Sequence, residues 1–190
     1  MLKQNVVSDL WRQFAQYHTS VEFYKEVKNV FGDLMPAVED IDSTISARGW
    51  DKGGDKIGTD CQTVMHKPIN FSSRTPHIDN PREIYAGLLY MPYEDDTSTG
   101  GEFQLHEANN IITQVNKNRG REVGDKAGKI VKSVPYKRNT MVMFCNSTAQ
   151  AVHSVSPREG AVLHRRSVNI IAEFNRVAKR SMFSVKEVRR

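Results

Sequence analysis

The chain has 190 residues, of which 38% are hydrophobic and 26% are charged, and its formal net charge at pH 7 is +5. This length is typical of one domain with a sizeable core, and the composition is that of an ordinary globular protein. No apolar run approaches the length of a membrane span, and the first residues lack the apolar stretch of a signal peptide. We therefore expect a cytoplasmic protein without a membrane partner.

The cysteines and the basic residues bear on location and partners. Cys61 and Cys145 lie far apart and match no zinc-binding spacing, so we expect reduced, buried thiols. Positive charge collects in one polar segment and in the tail at 176–190. Such clusters are usually solvated surface, and the alternative is an anionic partner, either nucleic acid or an acidic substrate. No nucleic-acid-binding motif accompanies them, so a nucleic-acid partner is the weaker expectation. The clustered residues are Lys117, Arg119, Arg121, Lys126, Lys129 and Lys132, then Arg176, Lys179, Arg180, Lys186, Arg189 and Arg190.

Residues 1–50 carry the spacing of amphipathic helices. Apolar side chains recur at intervals of three and four in two successive stretches, which predicts two helices. Thr19 and Glu22 fit a capping box at the start of the second helix, and we expect that helix to end at Gly32. A third short helix is predicted over residues 36–47.

From residue 55 to residue 175 the pattern changes to short apolar runs separated by turns. Many short strands at this spacing predict a sandwich or a barrel. The polar segment 109–129 is predicted to be a long loop over one end, where binding residues often lie. The predicted strands are Cys61–Ile69, Ile84–Met91, Gly101–His106, Ile130–Val134, Thr140–Cys145, Ala149–Val155 and Ser167–Phe174.

Two histidines and one aspartate form the pattern that points to chemistry. Residues i and i+2 of an extended strand face the same side, so His77 and Asp79 would present an imidazole and a carboxylate together. With His153 they would make the two-histidine, one-carboxylate ligand set of non-haem Fe(II) oxygenases. A lone His-x-Asp is a weak signal. The alternatives are a surface-turn histidine at position 77 and a core histidine bonded to a backbone carbonyl at position 153.

Further motifs surround these residues in a definite order along the chain. They are His-x-Asp-Asn-Pro at 77–81, Leu-Leu-Tyr at 88–90, Gly-Gly-Glu-Phe at 100–103, His-x-Val-x-Pro at 153–157 and Arg-x-Ser at 165–167. Together they resemble the Fe(II)/2-oxoglutarate-dependent dioxygenases, in particular the prolyl-hydroxylase-like branch. The resemblance runs from about residue 61 to residue 174.

The resemblance implies a mainly β fold, a double-stranded β-helix or jelly-roll barrel buttressed by N-terminal helices. We expect a single domain over residues 1–190, with helical support at 1–50, the jelly-roll core at 55–175 and a basic tail at 176–190. It also implies three cofactors and co-substrates, which are Fe(II), 2-oxoglutarate and O2.

The resemblance assigns roles residue by residue. His77, Asp79 and His153 would bind the iron. Arg165 would form a salt bridge to the distal carboxylate of 2-oxoglutarate, because a planar guanidinium binds a carboxylate with two parallel hydrogen bonds.

Six more residues near these motifs are given an expected contact, strand face or role. Ser167 and Tyr90 would contact the same carboxylate, and for Tyr90 the alternative is a core tyrosine. Asn169 faces the same side of the strand as Arg165, whereas Arg166 is expected on the opposite face. Two spare histidines, His66 and His106, are expected to be structural or substrate-contacting.

The implied activity is hydroxylation of an unactivated C–H bond, with release of succinate and CO2. Asp79 favours this outcome, because halogenating relatives lack the carboxylate ligand. The expected substrate is a prolyl residue, an amino acid or another small molecule. The alternatives are a related oxidation such as desaturation or epimerisation, a non-enzymatic binding barrel, and a nucleic-acid-binding jelly roll with a basic surface. An enzyme of this fold that demethylates alkylated nucleic acid belongs with the last of these.

Overall fold

A computed structural model describes residues 7–36, 45–47, 56–68, 70, 74–107, 121–123, 127–146 and 151–175. This part of the chain is mainly β, as predicted. The helices are α1 (Asp9–His18) and α2 (Val21–Phe31), followed by a 3-10 turn (Gly32–Leu34). The strands are β1 (Ile45–Ala47), β2 (Ile57–His66), β3 (Arg74–Ile78), β4 (Glu83–Tyr90), β5 (Thr99–Gly100), β6 (Phe103–His106), β7 (Arg121–Glu122), β8 (Ile130–Val134), β9 (Met141–Cys145), β10 (His153–Val155), β11 (Arg158–Glu159) and β12 (Arg165–Phe174).

Both helices begin after a serine. At the start of α2 the Ser20 hydroxyl accepts a hydrogen bond from the backbone N–H of Phe23, so the capping box predicted at Thr19 is wrong by one residue. Thr19 instead ends α1, where its hydroxyl donates to the carbonyl of Ala15. The predicted end of α2 at Gly32 is confirmed, and its φ of 55° is a conformation that favours glycine.

The strands form two large sheets and one small ribbon. The first sheet has the order β1-β2-β12-β4-β9, the second has the order β7-β3-β10-β6-β8, and β5 pairs with β11. All pairings are antiparallel except that of β1 with β2. Within the described ranges no strand pairing joins the two large sheets. Closure into a jelly-roll barrel therefore stays a prediction.

Strand β12 is central in the first sheet and positions the site. It pairs with β2 along its whole length and with β4 on its other side. Alternate side chains point to opposite faces of the sheet. Val168, Ile170 and Ala172 are buried in a cluster with α2. The alternate residues from Arg165 to Ile171 line a cavity instead.

The N-terminal helices cover the outer face of the first sheet. Phe23 and Tyr24 of α2 pack against Tyr85 of β4, with ring centroids 6.5 and 6.0 Å apart. Val27 is buried in the same cluster. Removing these side chains from water stabilises the helix on the sheet. No helix in the described part of the chain is long and apolar enough to cross a membrane.

Three predictions of local structure are corrected. Ile45–Ala47 form β1 rather than the end of a helix. Arg121–Glu122 form β7 and pair with β3, inside the segment predicted to be a loop. Arg74–Ile78 form β3, which the apolar pattern missed because only its end is buried and Pro76 interrupts it. These short strands depend on pairing with distant partners, which local pattern does not encode.

Other predictions concern residues that the description does not cover. They are residues 109–120 and 124–126 of the polar segment and the basic tail at 176–190. The division of the chain into helical support, core and tail also stays a prediction.

Candidate active site

Strands β3 and β10 bring two histidines together in the second sheet. His153 lies opposite His77 in the antiparallel register, and their ring centroids are 4.3 Å apart. Both side chains are buried. Asp79 directly follows the end of β3 and is less buried, with 18% of its side chain exposed. The fold thus brings His153 to two residues that lie 74 and 76 positions earlier in the sequence, since 153 minus 79 is 74 and 153 minus 77 is 76.

The three side chains converge on one point. His77 Nε2 lies 3.5 Å from Asp79 Oδ1, and His153 Nε2 lies 3.5 Å from Asp79 Oδ2. One ligand atom from each residue lies within 4.8 Å of the other two. No other group of His, Cys, Asp and Glu side chains in the described ranges converges in this way. Two atoms that each lie about 2 Å from one ion are at most about 4 Å apart, and both 3.5 Å separations meet this limit.

Backbone carbonyls orient both imidazoles. His77 Nδ1 lies 2.6 Å from the carbonyl oxygen of Thr75, and His153 Nδ1 lies 3.0 Å from that of Ala151. A carbonyl only accepts, so each Nδ1 carries the proton and donates it. In both residues Nε2 lies on the side of Asp79, and in the neutral imidazole with a protonated Nδ1 this atom carries the lone pair that binds a metal. The carbonyl bond expected of a core histidine at 153 is present, but it occupies only one of the two ring nitrogens.

Burial and neighbouring charge set the protonation states. Burial lowers the pKa of His153 to about 4, so this imidazole is neutral at pH 7. For Asp79, burial alone would raise the pKa, but His153 and His77 lower it, and the net pKa lies below its usual range. A neutral imidazole beside an ionised carboxylate is the state that binds a divalent metal ion. The donor set therefore fits Fe(II).

A cavity of about 210 Å³ lies against these three residues and reaches the first sheet. Leu88, Phe103 and Phe144 form apolar parts of its wall. The rings of Phe103 and Phe144 also pack on His153, with centroids 5.4 and 4.5 Å away. The candidate metal ligands thus come from the second sheet, while β12 supplies the facing wall.

Arg165 lies in that facing wall and is 2% exposed. Its Nε donates to the carbonyl of Gly101 at 3.1 Å. Its guanidinium carbon lies 4.9 Å from the ring centroids of both Tyr90 and Tyr136, which are within range of cation–π attraction. Two aromatic rings and one carbonyl therefore fix the position of this guanidinium.

Two buried donors lie beside each other without a hydrogen-bond partner in the described part of the chain. Neither Nη2 of Arg165 nor the hydroxyl of Tyr90 has a hydrogen-bond partner among the described residues, and none of the described carboxylates forms a salt bridge with Arg165. A buried guanidinium without a counter-ion is unfavourable. Burial raises the pKa of Tyr90 more than Arg165 lowers it, so the hydroxyl keeps its proton. The pair fits an incoming carboxylate.

Strand alternation separates the other predicted residues. Ser167 and Asn169 line the cavity beside Arg165, and the Ser167 hydroxyl donates to Oδ1 of Asn169 at 2.9 Å. Arg166 lies on the opposite face, where its Nε donates to the carbonyl of Met91 at 2.9 Å and its guanidinium stacks on Tyr93. The hydrogen bond to Asn169 orients Ser167 within the protein and leaves its lone pairs for a ligand.

The two spare histidines have different surroundings. His106 lies 2.8 Å from the Ser154 hydroxyl through Nε2 and 3.1 Å from the Gly128 carbonyl through Nδ1, so both nitrogens are used inside the protein. His66 lines the cavity and lies opposite Arg165 in the β2–β12 register. Burial and then the charge of Arg165 lower the pKa of His66, which is neutral at pH 7.

Sequence reasoning missed three residues near Arg165. Tyr136 stacks on it, and Asp96 forms a buried ion pair with Arg158 beside the Gly101 turn. The available signal was the acidic turn at 94–96 followed closely by two glycines. That signal did not identify a partner for Asp96, because the partner lies 62 residues further along the chain.

The β-rich fold, the three converging candidate ligands and the facing arginine are typical of non-haem iron oxygenases. In agreement, a family model described as the 2OG-Fe(II) oxygenase superfamily matches residues 65–172, more than half of the chain. The chain therefore belongs to the 2OG-Fe(II) oxygenase superfamily. Membership implies an oxygenase that uses Fe(II), 2-oxoglutarate and O2.

Comparisons with curated proteins and with solved structures add no evidence on the fold or the function of the chain. No curated protein matches the chain. One solved structure that matches is entitled "Bacillus endospore appendages form a novel family of disulfide-linked pili"; it is 14% identical, and the match covers 68% of this chain and 97% of that chain, with a TM-score of 0.34. At that TM-score the likeness supports no conclusion about fold or function.

Proposed function

We propose that this protein is an Fe(II)- and 2-oxoglutarate-dependent hydroxylase of the prolyl-hydroxylase-like branch. In this proposal His77, Asp79 and His153 hold the iron, and Arg165 binds the distal carboxylate of 2-oxoglutarate with Tyr90. Ser167 contributes to the same carboxylate site. The substrate is a prolyl residue in a peptide, an amino acid or another small molecule, and the protein works in the cytoplasm.

One observation carries the proposal. The cavity that borders the three converging side chains is also lined by Arg165, whose Nη2 has no hydrogen-bond partner among the described residues. The Tyr90 hydroxyl also lacks such a partner, and its ring centroid lies 4.9 Å from the guanidinium carbon of Arg165. A metal site alone would not require a buried cation on the facing wall. A co-substrate with a carboxylate at its far end satisfies both groups at once.

Different residues of the chain bind the metal, orient the co-substrate and exclude water. When bound, Fe(II) and 2-oxoglutarate supply the oxidation, in which O2 is consumed, succinate and CO2 are released and oxygen enters a C–H bond. His77, Asp79 and His153 occupy the side of the second sheet, so the side towards β12 is left for the co-substrate. Arg165 sets its direction, while Phe103 and Phe144 exclude water from the metal side of the cavity.

The substrate class rests on the sequence motifs and on the size of the cavity. A volume of about 210 Å³ must accommodate 2-oxoglutarate and the reacting group of the substrate. This favours one side chain or a small molecule as the reacting group. A screen that measures succinate release should respond to prolyl peptides or to free amino acids. Product analysis by mass spectrometry then separates hydroxylation, which adds one oxygen atom, from desaturation, which removes two hydrogens.

Anaerobic spectroscopy tests the proposed ligands. Addition of Fe(II) and 2-oxoglutarate to the protein should give the charge-transfer absorption of the iron chelate. His77→Ala should abolish it, whereas His164→Ala, which removes an exposed histidine next to Arg165, should leave it unchanged. A wild-type protein that gives no absorption and binds no iron would refute the proposal.

The nucleic-acid alternative gains no support from the described residues. Most of the clustered basic residues lie outside them, and Lys129 and Lys132 are exposed on or beside strand β8. That alternative requires binding that weakens steeply with salt. A filter-binding titration at two salt concentrations distinguishes it from a small-molecule oxygenase.

A further inference from the structure

A buried ion pair lies behind Arg165, outside the cavity. Arg158 Nη2 lies 2.8 and 3.0 Å from the two carboxylate oxygens of Asp96, and each side chain is only 4% exposed. The Ser98 hydroxyl also hydrogen-bonds both members of the pair. Nη1 of Arg158 donates to the carbonyl of Leu163 at 2.8 Å. The guanidinium is thus held from three sides.

The pair is connected to Arg165 through one turn. Strand β11, which begins at Arg158, pairs with β5, which ends at Gly100. Gly101 follows, its N–H donates to the carbonyl of Pro157, and its own carbonyl accepts from Nε of Arg165. The carbonyl that orients Arg165 therefore belongs to a turn that is paired with the strand of Arg158.

The turn has little room to move. Gly100 and Gly101 have φ of 80° and 79°, a region that favours glycine. A Cβ at Gly100 would lie 1.9 Å from the carbonyl oxygen of Pro157. A Cβ at Gly101 would lie 3.2 Å from Cγ of Arg158 and 3.5 Å from Nε of Arg165. Arg158 therefore packs directly against the turn that holds Arg165.

We propose that Asp96 and Arg158 are positioning residues for the co-substrate. Their ion pair fixes the turn at 100–101, whose carbonyl occupies Nε of Arg165 and leaves Nη2 for the distal carboxylate. This inference rests on the proposed function. Neither member of the pair lines the cavity, so both act through Arg165. A buried ion pair is weak support for stability in itself, because desolvation offsets most of the attraction.

The test compares two carboxyl-to-amide changes in the same loop. Asp96→Asn removes the buried charge and keeps the shape of the side chain. Glu94→Gln is the matched control, since Glu94 pairs with Arg138 on the surface with 83% of its side chain exposed. The dissociation constant of 2-oxoglutarate is measured by anaerobic titration of the Fe(II) protein. Asp96→Asn should raise it about tenfold, the size of effect seen when a supporting partner is lost, and Glu94→Gln should not.

Two further measurements separate positioning from general damage. A 2-oxo acid without the distal carboxylate, 2-oxovalerate, should bind wild type and Asp96→Asn equally, because it makes no contact with Arg165. In an Arg165→Ala background, Asp96→Asn should add no further loss, as expected for two residues that act as one unit. In turnover, KM for 2-oxoglutarate should rise while kcat stays within about twofold.

Each result decides the inference. A lower melting temperature with an unchanged dissociation constant would show that the pair only stabilises the fold, and equal weakening of both oxo acids would also overturn the proposal. If Asp96→Asn does not fold, Ser98→Ala, which removes one bond to each member of the pair, is measured in the same way. A wild-type protein that binds Fe(II) but does not bind 2-oxoglutarate would refute the proposed function. This outcome is measured on the wild type alone, so it is distinct from a failure of the inference about Asp96.

Discussion

The two faces of strand β12 differ in what their buried side chains contact. On the helix side, Val168, Ile170 and Ala172 pack in an apolar cluster that needs nothing beyond the protein. On the cavity side, Arg165 is equally buried, but its Nη2 has no partner within the described ranges. One face thus stabilises the fold, and the other carries a buried polar group that the described residues leave without a partner.

The two faces of β12 differ more clearly in buried charge than in the number of tyrosine hydroxyls without a hydrogen-bond partner. Tyr24 and Tyr85 on the helix side also have buried hydroxyls without a partner. The lack of a hydrogen bond is therefore not in itself a sign of a ligand site. On β12 the helix side presents the apolar residues Val168, Ile170 and Ala172, whereas the cavity side carries Arg165 and faces Asp79. Substitutions on the two faces should therefore have different effects on binding and stability.

The largest effect is expected at the proposed metal ligands, which face β12 across the cavity. His77→Ala and Asp79→Ala should each lower 2-oxoglutarate turnover by about a thousandfold or more, because a metal-dependent step is lost with its metal. Succinate release measures the loss, and circular dichroism should show an intact fold. Undiminished turnover in either variant would refute the ligand assignment.

A large but partial effect is expected from the neighbouring arginines, which face opposite sides. Arg165→Ala should raise KM for 2-oxoglutarate about a hundredfold, since one member of a buried charged pair is lost. Arg166→Ala should change it little, because that guanidinium contacts Met91 and Tyr93 instead. The reverse result would move the carboxylate site to the other face of β12.

Adjacent isoleucines test the structural face. Ile170 is fully buried against the helices, whereas Ile171 is half-buried at the cavity. Ile170→Ala should lower the free energy of unfolding by about 3 kcal/mol and Ile171→Ala by about 1 kcal/mol. Urea denaturation measures both changes. Equal losses, or a loss of 2-oxoglutarate affinity in Ile170→Ala, would contradict the division between the faces.

The smallest effect is expected at Cys61, which packs on the same apolar cluster. Burial, and then the charge of Asp60, raises the pKa of its thiol to about 11. The thiolate is the reactive form, so its fraction at pH 8 is far lower in the folded chain than in the unfolded chain. Alkylation followed by mass spectrometry should be at least about tenfold slower before urea is added than after it. Equal rates would show that this face is open to solvent.

Local sequence patterns predicted much of the division between these faces. Period-two alternation placed Arg165, Ser167 and Asn169 on one side of β12 and Arg166 on the other, and the structure has the same arrangement. Gly32 ended α2 as predicted. These features depend on residues that are close in sequence, so a single amino-acid sequence is enough to predict them.

Features that depend on distant partners were not predicted. Strand β7 forms because it pairs with β3 more than forty residues earlier. Asp96 meets Arg158 only through folding, and Tyr136 reaches Arg165 from a loop before β9. For the proposed metal ligands, the His-x-Asp motif and the family resemblance supplied the long-range information that local pattern lacks.

Crystallography of the complete complex tests the central claim most directly. Anaerobic crystals with Fe(II) and 2-oxoglutarate, measured at the iron absorption edge, should show one anomalous peak within bonding distance of His77 Nε2, His153 Nε2 and an Asp79 oxygen. The distal carboxylate of 2-oxoglutarate should lie on Nη2 of Arg165. Iron bound elsewhere, or a carboxylate that leaves Arg165 unpartnered, would contradict the account.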